Sequence, residues 1–179
     1  LAAEDRAVLE GSILPAVRSL ADGRDVLFVG VEWYTASYPS MFPNGNLVTI
    51  DVAPQLSRYG SSRHVTVDVR CLADHFPNGS FAAVVCNGVL GYGIDQPEDV
   101  ARALDSIAAS LASNGWLVLG WNDVDGRRIP GLDSAASASG LHATAGCGLP
   151  THRTEPIGPF RHVYAVYRKV AKTHTQQPT

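Results

Sequence analysis

Residues 24–31 read RDVLFVGV. Val26, Leu27, Phe28 and Val29 follow one another with no polar residue between them. A strand with one wet face alternates apolar and polar, whereas a strand covered on both faces reads as a continuous apolar run. The run predicts such a strand, and Gly30 closes it. Four further strand-like runs follow. NLVTIDV (46–52) ends at Asp51, RHVTVDV (63–69) ends near Asp68, SFAAVVCNG (80–88) ends at Asn87-Gly88, and NGWLVLGW (114–121) ends at Trp121.

Helix-length connections separate these runs. In QPEDVARALDSIAASLASNG (96–115), Pro97 suits a first helical turn, and Val100, Leu104, Ile107 and Leu111 form an apolar stripe. Asn114-Gly115 is the expected stop. AEDRAVLEGSILPAVRSLADG (3–23) places Leu9, Ile13, Val17 and Leu20 on one helical face, with Pro15 as a kink or the start of a second helix. APQLSRYG (53–60) has room for a short helix, and Tyr34 to Phe42 for one or two turns around Pro39. Strands alternating with helices predict a Rossmann-like three-layer α/β sandwich around a mostly parallel sheet. The ending differs. RHVYAVYRKV (161–170) alternates well, and no helix-length periodic segment separates it from the irregular Leu141–Pro159 region. The last strands are therefore expected to be antiparallel. Residues 1–170 read as one domain, and 171–179 as a polar tail.

Composition narrows the function classes. The net charge is -3, with no basic run to form a nucleic-acid footprint. No stretch is apolar for long enough to span a bilayer. The start carries Glu4 and Asp5 and lacks the basic-then-apolar plan of a secretory signal. The three cysteines, Cys71, Cys86 and Cys147, are scattered and odd in number. A cytoplasmic protein is expected, with no membrane or nucleic-acid partner. The histidines, including His64, His152 and His162, show no HExxH-type spacing, so no metal site is expected. No GxSxG elbow is present. A dinucleotide fold needs G-x-G-x-x-G after the first strand, and GVEWYT (30–35) keeps only the first glycine.

In an open parallel sheet, ligands bind beyond the carboxyl ends of the strands where strand order reverses. Gly30, Asp51, Asp68 and Asn87 all fall at such ends. A carboxylate there can accept hydrogen bonds from a ribose diol, and a glycine allows close backbone approach. The alternative for Asp51 is a helix-capping or loop carboxylate.

The five strand-helix steps with an antiparallel ending resemble the class I S-adenosylmethionine (SAM)-dependent methyltransferases, from about Asp25 to Lys169. The motifs are VLFVGVEWY (26–34), TIDVAP (49–54), VTVDVR (65–70), CNGVLGYG (86–93) and ASLASNGWLVLGW (109–121). The resemblance implies that Gly30 is the first glycine of the cofactor turn. It implies that Asp51 grips the ribose, that Asp68 reads the adenine, and that Asn87-Gly88 lies beside the sulfonium. Glu32 and Tyr34 stand where the family has glycines. Glu32 is a candidate partner for the cofactor's ammonium, and Trp33 or Tyr34 for its sulfonium by a cation–π contact. No residue announces itself as a catalytic base; Asn87, Tyr92, Trp121 and Asn122 are candidates to line an acceptor pocket. Arg127, Arg128, His152 and Arg153 lie on two long loops that could form a cationic lid. The implied activity is methyl transfer from SAM to a small-molecule acceptor. Other uses of SAM, and a non-catalytic binding module with an altered pocket, are the alternatives.

Overall fold

The computed structural model describes residues 3–170, so the tail at 171–179 lies outside the described residues. The chain opens with α1 (Ala3–Val8), a π turn (Leu9–Ile13) and α2 (Leu14–Ala21). Pro15 explains the π turn. It has no N–H for the carbonyl four residues back, and its ring clashes there. Leu14 N instead donates to Leu9 O, five residues back, and Pro15 falls in the first turn of α2. Leu9, Ile13, Val17 and Ala21 are buried, while Leu20 sits at the edge of the face, 39% exposed.

Seven strands follow: β1 (Val26–Val29), β2 (Leu47–Asp51), β3 (His64–Thr66), β4 (Phe81–Asn87), β5 (Leu111–Asn122), β6 (Leu141–Ala143) and β7 (His162–Lys169). They form one sheet in the order β3-β2-β1-β4-β5-β7-β6. The first five are parallel, and β7 enters antiparallel to both β5 and β6. Between β1 and β2 lie a 3-10 turn (Trp33–Ser37) and the short helix α3 (Tyr38–Met41). After β2 comes a 3-10 turn at Pro54–Tyr59, and α4 (Pro97–Ser110) links β4 to β5.

The continuous apolar runs are explained by burial on both sides. Val26, Phe28, Ala83 and Val85 pack with Leu9, Ile13 and Val17 beneath the first helices. Leu27, Val29, Val84 and Cys86 pack on the other face with Val100, Leu104 and Ile107 of α4. Burial pushes the Cys86 thiol up to about 12, so it is a core group and not a nucleophile.

Two local expectations change. α4 stops at Ser110 because Leu111 is already extended. Asn114, at φ 61°, instead turns the chain between this irregular start of β5 and its regular pairing from Trp116. The stretch after Gly131 forms α5 (Leu132–Ala138), although its sequence has little apolar periodicity. Among the described residues no helix is long and apolar enough to cross a membrane.

Candidate active site

A cavity of about 340 Å³ opens at the carboxyl ends of β1, β2 and β4. The strand order reverses there, between β1 and β4. Gly30, Glu32, Tyr34 and Asp51 line one part of it; Asp68, Asn87 and Gly88 line another. The seven positions expected to hold a cofactor thus share one cavity.

Gly30 leaves β1 at φ +88°, in the left-handed region. A Cβ there would lie 2.8 Å from Val89 Cγ2 and 2.9 Å from Asn87 O, so both conformation and space require glycine. The next residue is held by the neighbouring strand: Val31 N donates to Asp51 Oδ2 at 3.0 Å, and Ala53 N donates to Asp51 Oδ1 at 2.8 Å. Asp51 therefore fixes the turns after both β1 and β2. Each of its oxygens keeps a further acceptor position.

The missing glycines are replaced by a helical cap. Glu32 is the N-cap of the 3-10 turn, accepting from Trp33 N at 3.1 Å, and its own N–H donates to Thr35 Oγ1 at 3.2 Å. The turn is thereby ordered without glycine. Trp33 is 63% exposed and meets Tyr34 edge-on at 5.7 Å. The Arg6 guanidinium lies 5.6 Å from the Trp33 ring centroid and 5.8 Å from that of Tyr34. These aromatics thus already hold a cation from α1, and only Tyr34 of the pair lines the cavity. Burial pushes its hydroxyl up to about 12.

Asp68 is more committed than its position suggested. It caps the following 3-10 turn by accepting from Arg70 N at 2.8 Å, and it receives the Arg70 guanidinium at 2.6 Å. Arg70 also pairs with Asp99 of α4 at 2.9 Å. The Arg70 guanidinium holds the Asp68 carboxyl below its ordinary range. Arg70 itself lines the cavity and was missed in the sequence. Its only signal is its place two residues after the carboxylate.

The acceptor candidates divide. Asn87 and Tyr92 line the cavity, and Asn122 stands behind Tyr92, its amide 2.6 Å from the hydroxyl. Trp121 packs on the α4 face and borders a second cavity, with Arg153 5.1 Å from its ring centroid. Of the four basic residues considered for a lid, three are held by carboxylates. Arg127 stacks 3.7 Å from the Tyr92 ring centroid, and Arg128 pairs with Asp123 at 3.3 Å. His152 and Arg153 both reach Asp133, at 3.2 and 3.0 Å. Acidic partners hold Arg128, His152 and Arg153, whereas Arg127 stays beside a ring that lines the cavity.

A doubly wound sheet, a reversed last strand pair and a cavity of carboxylates at the switch point define a nucleotide-cofactor α/β protein of the methyltransferase type. A family model described as a methyltransferase domain matches residues 29–119, from the end of β1 into β5. The chain belongs to this family, the class I SAM-dependent methyltransferases.

Solved structures share the fold. The N-methyltransferase NodS from Bradyrhizobium japonicum, in complex with S-adenosylhomocysteine, is 18% identical with a TM-score of 0.61, over 86% of this chain and 83% of that one. A TehB-like SAM-dependent methyltransferase from Corynebacterium glutamicum is 20% identical with a TM-score of 0.62, over 92% and 93%. The 1,6-didemethyltoxoflavin-N1-methyltransferase of Burkholderia thailandensis, with its substrate and S-adenosylhomocysteine bound, is 18% identical with a TM-score of 0.60, over 93% and 83%. Among curated protein sequences, none matches the chain significantly.

Proposed function

We propose that this chain transfers the methyl group of SAM to a small-molecule acceptor in the cavity at the ends of β1, β2 and β4. The observation that carries the reading is the joint placement of Gly30 and Asp51. The glycine opens the turn, and Asp51 clamps it through Val31 N while keeping acceptor positions for ribose hydroxyls. The donor set fits the cofactor. Val52, Leu56 and Val69 give apolar lining beside the carboxylates, as an adenosine needs. Gly88, at φ +68°, brings backbone close to the same space. Glu32 is the carboxylate nearest in sequence to the turn and is assigned to the ammonium.

The cofactor supplies a methyl group already activated by its sulfonium. The protein's own residues bind, orient and exclude water. Asp51 and Gly30 hold the nucleoside end, Tyr34 and Asn87 form the wall toward the acceptor, and Tyr92 stands at the rim. Asp68 contributes only the acceptor capacity that Arg70 leaves. A small acceptor fits loops whose Arg128 and Arg153 are paired with carboxylates. The unpaired cysteines fit a reducing cytoplasm.

Calorimetric titration with SAM and S-adenosylhomocysteine is the direct test. Saturable binding of both is expected, followed by transfer of labelled methyl to members of a small-molecule panel. No heat from either ligand at millimolar concentration would sink the reading and leave a binding module with a remodelled turn.

A further inference from the structure

A file of side-chain hydrogen bonds crosses the sheet behind the cavity. Asn122 Nδ2 lies 2.6 Å from the Tyr92 hydroxyl. Asn122 Oδ1 lies 2.7 Å from His162 Nδ1, and His162 Nε2 lies 3.0 Å from Asn87 Oδ1. Asn87 ends β4, Asn122 ends β5 and His162 opens β7. Both ends of the file, Tyr92 and Asn87, line the cavity. His162 itself is 1% exposed.

The file passes over Gly120 on the middle strand. A Cβ there would collide with Asn87 Oδ1 and lie 2.9 Å from His162 Nε2. Gly120 sits within a regular strand pair, so the glycine serves space and not an unusual turn.

The chemistry of the ring limits what the file can be. Burial holds His162 down to about 4, while the charge of Asp5 on α1 pulls the other way. Tyr164 meets the ring edge-on at 4.7 Å. A neutral imidazole has one donor and one acceptor nitrogen, so two amide oxygens cannot both face it favourably. Two arrangements satisfy every group. In one, Tyr92 O–H donates to Asn122, Asn122 turns its NH2 to Nδ1, and Nε2–H donates to Asn87 Oδ1. In the other, each donor and acceptor is exchanged. The Arg127 cation over the Tyr92 ring favours the phenol as donor, and so the first. That leaves the NH2 end of Asn87 for the cavity.

We propose that His162 is a positioning residue of this site: it holds the Asn87 amide by its oxygen, so that the NH2 end donates to an oxygen or other lone pair of the bound ligand. The inference rests on the cavity being the cofactor and acceptor site. His162→Phe keeps a ring and removes both nitrogens. S-adenosylhomocysteine binding to the whole chain should weaken about tenfold, the loss of one oriented hydrogen bond. His162→Gln, whose amide nitrogen reaches toward the Nε2 position, should restore most of it. Long-range nitrogen-15 NMR of the ligand-free wild type should show His162 as the single Nε2–H tautomer between about pH 5.5 and 8. This arm needs no variant to fold.

Wild-type affinity in His162→Phe, a ring in the Nδ1–H form or a tautomer mixture would each overturn the proposal. If the wild type binds no S-adenosylhomocysteine, the cofactor reading falls and the positioning role with it. Binding by the wild type and by His162→Phe alike removes the positioning role alone.

Discussion

Asp51 and Asp68 end neighbouring strands with the same side chain and carry different loads. Among the described residues Asp51 accepts two backbone amides, whereas Asp68 accepts one amide and a guanidinium. Asp51→Ala should lower SAM affinity by about 1.5–3 kcal/mol, the range for hydrogen bonds to a charged group. Calorimetry reads this directly, and an unchanged affinity would make Asp51 a loop carboxylate. Glu32 gives a second test. Glu32→Gln keeps an oxygen for Trp33 N and so preserves the cap, but it loses the charge. SAM and S-adenosylhomocysteine should weaken together, because both carry the ammonium; no loss removes the ion pair. Tyr34→Ala is also expected to weaken the two ligands equally. Arg6 already lies by this ring, so a sulfonium there would meet a like charge rather than a free aromatic face. A selective loss of SAM would show that the open side of the ring still attracts the sulfonium.

At the scale of elements, the central strands β1 and β4 were legible because burial on both faces leaves a continuous apolar run. α4 was legible because its stripe repeats at helical spacing. Leu104 lies in that stripe and is fully buried, so Leu104→Ala should cost about 2–5 kcal/mol in urea unfolding. A loss below half a kilocalorie would mean the α4 face repacks freely. α5 was not legible. Its sequence LDSAASA offers little apolar periodicity, and the helix is anchored by Leu132 and Ala136 alone among its buried residues. The turn after β1 was legible only in part. Gly30 marked it, but no local signal showed that Glu32 and Thr35 would cap a 3-10 turn in place of glycines. The relay through His162 was least accessible, since His162 lies 40 residues from Asn122 and 75 from Asn87. Such contacts are set by β7 entering antiparallel beside β5, and by the space at Gly120.

For the whole molecule, the buried imidazole couples the site to acid stability. In the unfolded chain His162 titrates near its ordinary 6.5; in the fold, burial holds it near 4. Between these values the unfolded state binds the proton and the folded state does not. Stability therefore rises with pH across this window and is lost as pH falls from 6.5 toward 4. A displacement of this size corresponds to about 3 kcal/mol, reached near the lower end. The Asp68, Asp99 and Asp133 carboxyls are all held below their ordinary range by basic or hydroxyl partners, and their contributions disappear only at still lower pH. The two effects separate in a urea series run from pH 7.5 to about 3. Wild-type stability should begin to fall below about pH 6.5, well before the carboxylates protonate. His162→Gln has no proton to gain, so its curve should fall less steeply than the wild type's across this window, the remaining slope coming from His64, which burial also holds below its ordinary value, before the carboxylates protonate. Parallel curves for the two proteins through that window would show that His162 titrates normally in the fold and that its ring is open to protonation.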